Sequence, residues 1–152
     1  MALRSRAALA AATVCTATGV LTGLSGTAWA GIGGAAVKPA TVVPFDGASC
    51  NTLSDGTGDV CLYFSGAGGS AFRGYYSPVA DFGGDLFPNN GSGGGTRVKN
   101  NAHDARNFDF VFTAHICFNE NSGGPCDTFA PGAGRRALIP SVINNNASLF
   151  WS

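Results

Sequence analysis

Two Asn-rich stretches carry the oxygen atoms best suited to a hard cation: VKNNAHDARNFD at 98–109 and INNNASLFW at 143–151. Calcium takes carboxylate, amide and hydroxyl oxygens. Asn100, Asn101, Asp104, Asn144, Asn145 and Ser148 offer such a set. With so few carboxylates, binding would be weak, on the order of 10⁻⁴–10⁻³ M. Turn formation is the competing explanation, because Asn tolerates left-handed backbone and bonds to its own main chain. No cofactor is required by these residues; calcium is the candidate ion.

Acid–base chemistry has little to work with. His103 and His115 are the only histidines, and histidine is the side chain that ordinarily titrates near neutrality. Neither an H-E-x-x-H nor a G-x-S-x-G pattern occurs. Asp104 adjoins His103, but neighbours in a turn usually point apart. His115 falls on the polar face of its run and is expected in solvent. No catalytic residue is assigned, and the chain is not expected to be an enzyme. Arg106, Arg135 and Arg136 are expected to be solvated charges.

The N-terminus has the order of a secretory signal peptide. Arg4 and Arg6 precede a small, apolar run, and Ala28-Trp29-Ala30 is an A-x-A cleavage box. Cleavage after Ala30 would release a soluble, extracellular product with no remaining membrane segment. Of the 152 residues, removing 30 leaves 122, with seven basic and nine acidic side chains and a formal charge of −2. That charge gives no basic surface for phosphates, so nucleic acid is excluded as a partner. The size suits one domain and a monomer. Residues 31–48 read as an extended, poorly ordered arm and residues 49–152 as the folded domain.

Four cysteines follow the signal: Cys50, Cys61, Cys117 and Cys126. An even count in a secreted chain implies two disulfides with three available pairings. The short spacings favour Cys50–Cys61 and Cys117–Cys126. Neither spacing suits the close pairs of a tetrahedral zinc site.

The positioning elements are short. Val60–Ser65, Phe72–Ser77, Thr96–Lys99, Phe108–Glu120, Ala137–Ile139 and Leu149–Trp151 are β-branched or aromatic runs punctuated by Gly and Asn. In FDFVFTAHICF, alternation puts Phe108, Phe110, Phe112, Ala114, Ile116 and Phe118 on one face. That is a half-buried strand, or two strands meeting at a bend near Thr113. The expected class is all-β. A repeat is also visible: CLYFSGAGGSAF and ICFNENSGGPCDTF both run from a strand through Gly-Gly to an aromatic, and each is followed by an Asn turn. Two such units would pack face to face, since one alone cannot bury its apolar side.

The ordered set of Gly-Gly hairpins and N-N-x-x-S-like turns resembles the βγ-crystallin Greek-key pattern. With the signal and the paired cysteines, VCLY…GG, VKNNAHDARNFD and INNNASLFW resemble secreted bacterial peptidase inhibitors typified by metalloproteinase inhibitors of βγ-crystallin-like fold. The resemblance covers about Cys50–Trp151. It implies a disulfide-stabilised, βγ-crystallin-like sandwich of two Greek-key units. It also implies an extracellular peptidase as partner, with metallopeptidases the class the resemblance points to, blocked by a loop that occludes its active-site cleft. Asn119, Glu120, Asn121, Ser122 and Pro125 form the candidate inhibitory loop; Pro88–Gly95 and Gly66–Ser70 are alternatives. The alternative functions are a calcium-binding module and a secreted structural or interaction protein. Asp104 and Ala105 depart from the crystallin turn, and alignment on N-N-A instead of N-N-x-x-S would shift the second turn by one residue.

Overall fold

The computed structural model describes Lys38 and residues 47–152. These residues belong to one compact unit, Gly34–Ser152. The expected signal peptide, and the expected arm apart from Lys38, Gly47 and Ala48, lie outside the described residues.

Among the described residues seven strands form: β1 (Val60–Tyr63), β2 (Phe72–Tyr75), β3 (Asp104–Asn107), β4 (Ala114–Cys117), β5 (Cys126–Phe129), β6 (Arg136–Ala137) and β7 (Ser148–Trp151). They build two antiparallel sheets, ordered β2-β1-β3-β6 and β5-β4-β7. Val60 and Leu62 of one sheet and Ala114, Ile116, Phe129, Leu149 and Trp151 of the other share a single apolar core. Burying a side chain such as Leu, Ile or Phe stabilises by roughly 1.5–3 kcal/mol. The chain is therefore nearly all β, as expected, with disulfides joining Cys50 to Cys61 and Cys117 to Cys126.

The halves exchange edges. β6, from the second half, pairs with β3. In return Val79, from the first half, exchanges backbone hydrogen bonds of 2.9 and 2.8 Å with Leu149 of β7. The strand registers then fix the correspondence between halves. Tyr63 faces Phe72 and Asp104; Cys117 faces Cys126 and Ser148. The Cys117–Cys126 disulfide thus occupies the position of the Tyr63–Phe72 ring pair, whose centroids lie 5.8 Å apart. At the strand ends, Tyr63 therefore matches Cys117.

Several expected strands differ. Thr96–Lys99 contributes only an isolated Leu86–Arg97 bridge. Phe108–Glu120 is broken: only Ala114–Cys117 is strand, and Phe110 and Phe118 are 64% and 40% exposed. Two buried polar side chains bend the chain there. Asn107 Nδ2 donates to the carbonyls of Phe112, Phe129 and Ala130 at 2.9–3.1 Å. Asp109 Oδ1 accepts from the amides of Val111 and Phe112, both at 2.7 Å. Satisfying these groups outweighs continuing the alternation, because an unpaired buried polar group costs about 1–3 kcal/mol.

β3 (DARN) and β5 (CDTF) form despite their polar sequences. Asp104 and Asn107 of β3 are buried with partners, and Asp127 of β5 is gripped by Arg136 at 2.8 Å through each carboxylate oxygen. Gly74 in β2 has a separate reason. A Cβ there would stand 2.2 Å from the Ser49 carbonyl, where the segment at Gly47 pairs with it.

Candidate functional site

The two Asn turns are structural counterparts. Asp104 faces Tyr63 as Ser148 faces Cys117, which makes Asp104 and Ser148 counterparts and Asn100 the counterpart of Asn144. Both adopt left-handed backbone, with φ of 62° and 54°. Their amides cross: Asn100 N donates to Asn146 O at 2.8 Å and Asn144 N to Ala102 O at 2.9 Å. Alignment on N-N-x-x-S is therefore the register the backbone adopts, and the shifted N-N-A alignment is not. Asn146, fully buried, ties the turns together: its Oδ1 accepts from Ala102 N and its Nδ2 donates to Val98 O, both at 3.0 Å. Asn101 and Asn145 each donate to a nearby carbonyl, Lys99 O at 2.9 Å and Ile143 O at 3.1 Å.

Protein cations already hold oxygen atoms beside both turns. At the first, Arg135 Nε meets Asp104 Oδ2 at 2.8 Å, and its Nη2 donates to Ser65 O at 2.6 Å. Asp104 Oδ1 is 2.7 Å from His103 Nδ1, so these neighbours do not point apart. Near the second, Lys99 bridges Asp81 at 2.8 Å and Glu120 at 2.5 Å. The Lys99 ammonium and the Gly83 amide hold the Asp81 carboxyl below its ordinary value. Ser148 Oγ donates to Asn119 O at 2.6 Å and accepts from Ser122 N at 3.0 Å. Among the described residues no group of three or more His, Cys, Asp and Glu side chains is arranged for a metal. Arg135 and Arg136 are not free solvated charges; each pairs with a buried carboxylate. As they stand, these oxygen sets fit a guanidinium and an ammonium better than calcium.

The parent's melting temperature should not move with millimolar calcium, whereas Arg135→Ala should lower it by leaving Asp104 without its cation. If freed Asp104 and the Ser65 carbonyl bind calcium instead, calcium will restore part of the loss in the variant alone. A parent stabilised by calcium as strongly as the variant would contradict this account.

The candidate loop sits next to the second turn. Asn100, Asn145, Lys99, Phe118, Asn119 and Glu120 line one open cleft of about 440 Å3. The structure thus brings part of the expected calcium set together with the candidate loop, while Asp104 stays with Arg135. Chain crossing fixes the loop at several points: the Cys117–Cys126 disulfide closes it, Asn121 N donates to Ala80 O at 2.8 Å, and Ser122 N reaches Ser148. Asn121 and Ser122 both have positive φ, 54° and 62°, so this segment turns tightly rather than running extended.

No family model, curated protein or solved structure matches the chain.

His115 is not simply solvent-facing. Its ring stacks on Phe150, centroids 4.3 Å apart and nearly parallel. Nε2 lies 2.8 Å from Ser152 Oγ and Nδ1 lies 3.2 Å from Thr128 Oγ1. A base–hydroxyl contact is present, but the third group is a hydroxyl. It carries no charge to stabilise an imidazolium as a triad carboxylate does. Burial lowers the pKa from 6.5. Between 6.5 and the lower folded value, the unfolded chain takes up a proton that the folded one refuses. Stability should fall as pH drops through that window. An NMR titration of His115 should give a midpoint below 6.5, and His115→Gln should flatten that limb of the melting curve; a midpoint at or above 6.5 would refute the assignment.

The residues missed in the sequence are Asn107, Asp109 and Lys38. Asp109 and Lys38 are both fully buried as side chains and meet at 2.6 Å. The signal for the first two was available: polar residues at alternating positions, N-F-D, interrupt an aromatic run.

Proposed function

We propose that this chain is a secreted proteinaceous inhibitor of an extracellular peptidase, carried on a βγ-crystallin-like frame of two Greek-key units. The exchange of edges between matched halves supports that frame. The observation that carries the inhibitor reading is the fixed loop Asn119–Pro125. Asn119, Glu120, Asn121, Ser122 and Pro125 are exposed, yet the loop is held by a disulfide, by Ala80 and Ser148, and by the Lys99–Glu120 pair. A loop ordered before binding loses little conformational entropy on binding. Its left-handed residues favour blocking the mouth of a cleft over mimicking an extended substrate. The function needs neither a catalytic residue nor a metal.

Titration into a panel of thermolysin-like metallopeptidases and subtilisin-like serine peptidases tests this. The expected result is stoichiometric loss of one enzyme's activity. Glu120→Arg should weaken inhibition by about tenfold or more, as expected where a contact carries appreciable binding energy, with little change in the melting temperature. Absence of inhibition across the panel overturns the reading.

A further inference from the structure

Lys38 is 1% exposed although it comes from a segment rich in small residues. Its ammonium stands 3.7 Å from the Tyr76 ring centroid and 4.0 Å from that of Trp151. It donates to Asp109 Oδ2 at 2.6 Å and to the carbonyl of Gly58. Two aromatic faces, a carboxylate and a carbonyl are the elements of a cage for an alkylammonium ion.

The domain builds this cage without help from Lys38. Asp109 is set by the amides of Gly58 at 2.9 Å and of Val111 and Phe112 at 2.7 Å. Tyr76 is anchored through its hydroxyl, 3.0 Å from Thr57 Oγ1. Trp151 belongs to β7, and its buried indole N–H has no acceptor among the described residues. Burial pulls the Lys38 pKa below 10.5, while the Asp109 hydrogen bond and charge act the other way.

We propose that Tyr76, Trp151, Gly58 and Asp109 form a lysine-recognition site that the chain closes with its own Lys38, and that it takes a lysine side chain from a protein partner when Lys38 is displaced. The occupant observed is itself a lysine side chain. The residues following Asp109 argue for a protein rather than a free amine: Phe110 and Val111 stand 64% and 52% exposed on the loop that Asp109 clamps. A partner presenting a lysine beside an apolar residue would meet both features. Lys38 is tethered, so it competes at a high effective concentration and masks the site.

The full chain with Lys38→Gly tests this, with n-butylammonium and Nα-acetyl-lysine methylamide as probes and n-butanol as the uncharged control. Both amines should cause saturable shifts of the Trp151 indole signal, at least about tenfold tighter than in the parent, since removing an occupied state returns its population to the free site. The alcohol should cause none. A folded variant with no saturable amine response, or one equal to the parent's, overturns the proposal. If Lys38→Gly fails to fold, the parent decides. Lys38 and Lys99 are the only lysines, so 15Nζ spectra hold two signals. Displacement predicts that n-butylammonium moves Lys38 towards the free-lysine position relative to sodium chloride at equal ionic strength; an unmoved Lys38 signal overturns it. None of these outcomes depends on peptidase inhibition.

Discussion

Asp109→Ala should destabilise the domain by roughly 3–5 kcal/mol, the cost of removing one partner from a buried ion pair. Asp109 is completely buried. Its loss strands the Lys38 ammonium between two rings and leaves the amides of Gly58, Val111 and Phe112 without their acceptor. The bend that separates β3 from β4 depends on the same oxygen atoms. Asp109→Asn retains one acceptor for Val111 and Phe112 but turns an amide towards the other two donors, Gly58 N and Lys38. It should fall between parent and alanine variant. Urea denaturation measures both. Against a typical stability of 5–15 kcal/mol, the alanine change approaches the limit of folding. A loss below about 1 kcal/mol would mean that water or repacking satisfies these groups, contrary to their burial.

Asn146→Ala should cost roughly 1–3 kcal/mol, the usual cost of leaving one buried backbone group unpaired. Ala102 N loses its acceptor, while Val98 O keeps the Asn101 amide at 3.1 Å and loses one of two donors. The effect is amplified by position, since this side chain crosses between the Asn turns of the two halves. Asn146→Asp keeps the shape and can still accept from Ala102, but sets a carboxylate oxygen against the Val98 carbonyl. It should be at least as damaging as alanine. Asn101→Ala, at a half-buried side chain bonded to a neighbouring carbonyl, should cost less than about 1 kcal/mol. Equal effects at 101 and 146 would remove the argument that Asn146 is the cross-link.

The parts of this fold legible in the sequence were those in which local chemistry and tertiary demand agree. β1 and β7 are apolar or aromatic and became strands. The Asn turns were legible because left-handed backbone is needed where Asn100 and Asn144 stand. The cysteine spacings likewise pointed to the pairs that form. β3 was not legible, because Asp104 and Asn107 read as loop residues until Arg135 and the carbonyls of Phe112, Phe129 and Ala130 supply their partners. Phe110 shows the opposite failure: alternation assigned it to the core, but Asn107 and Asp109 turn the chain and leave it exposed. For the site, Asn119–Pro125 could be proposed from its flanking cysteines. Its left-handed conformation depends on Ala80 and Ser148, and these are remote in sequence. Nothing near Lys38 announces the rings and carboxylate that surround it, because they come from positions 58, 76, 109 and 151.

The disulfide that stands where the first half has a Tyr–Phe pair gives the two hairpins different sensitivities to their surroundings. Ring contact closes the first hairpin at Tyr63 and Phe72, and its Cys50–Cys61 bond ties β1 to the preceding segment rather than closing the turn between β1 and β2. The second is closed by a bond that a reductant can open. In a reducing compartment the Asn119–Pro125 loop would gain freedom while its counterpart at 64–71 kept its shape. The proposed inhibitory surface would then be competent only where oxidising conditions hold, so that redox environment, rather than abundance of the chain, would set where it acts.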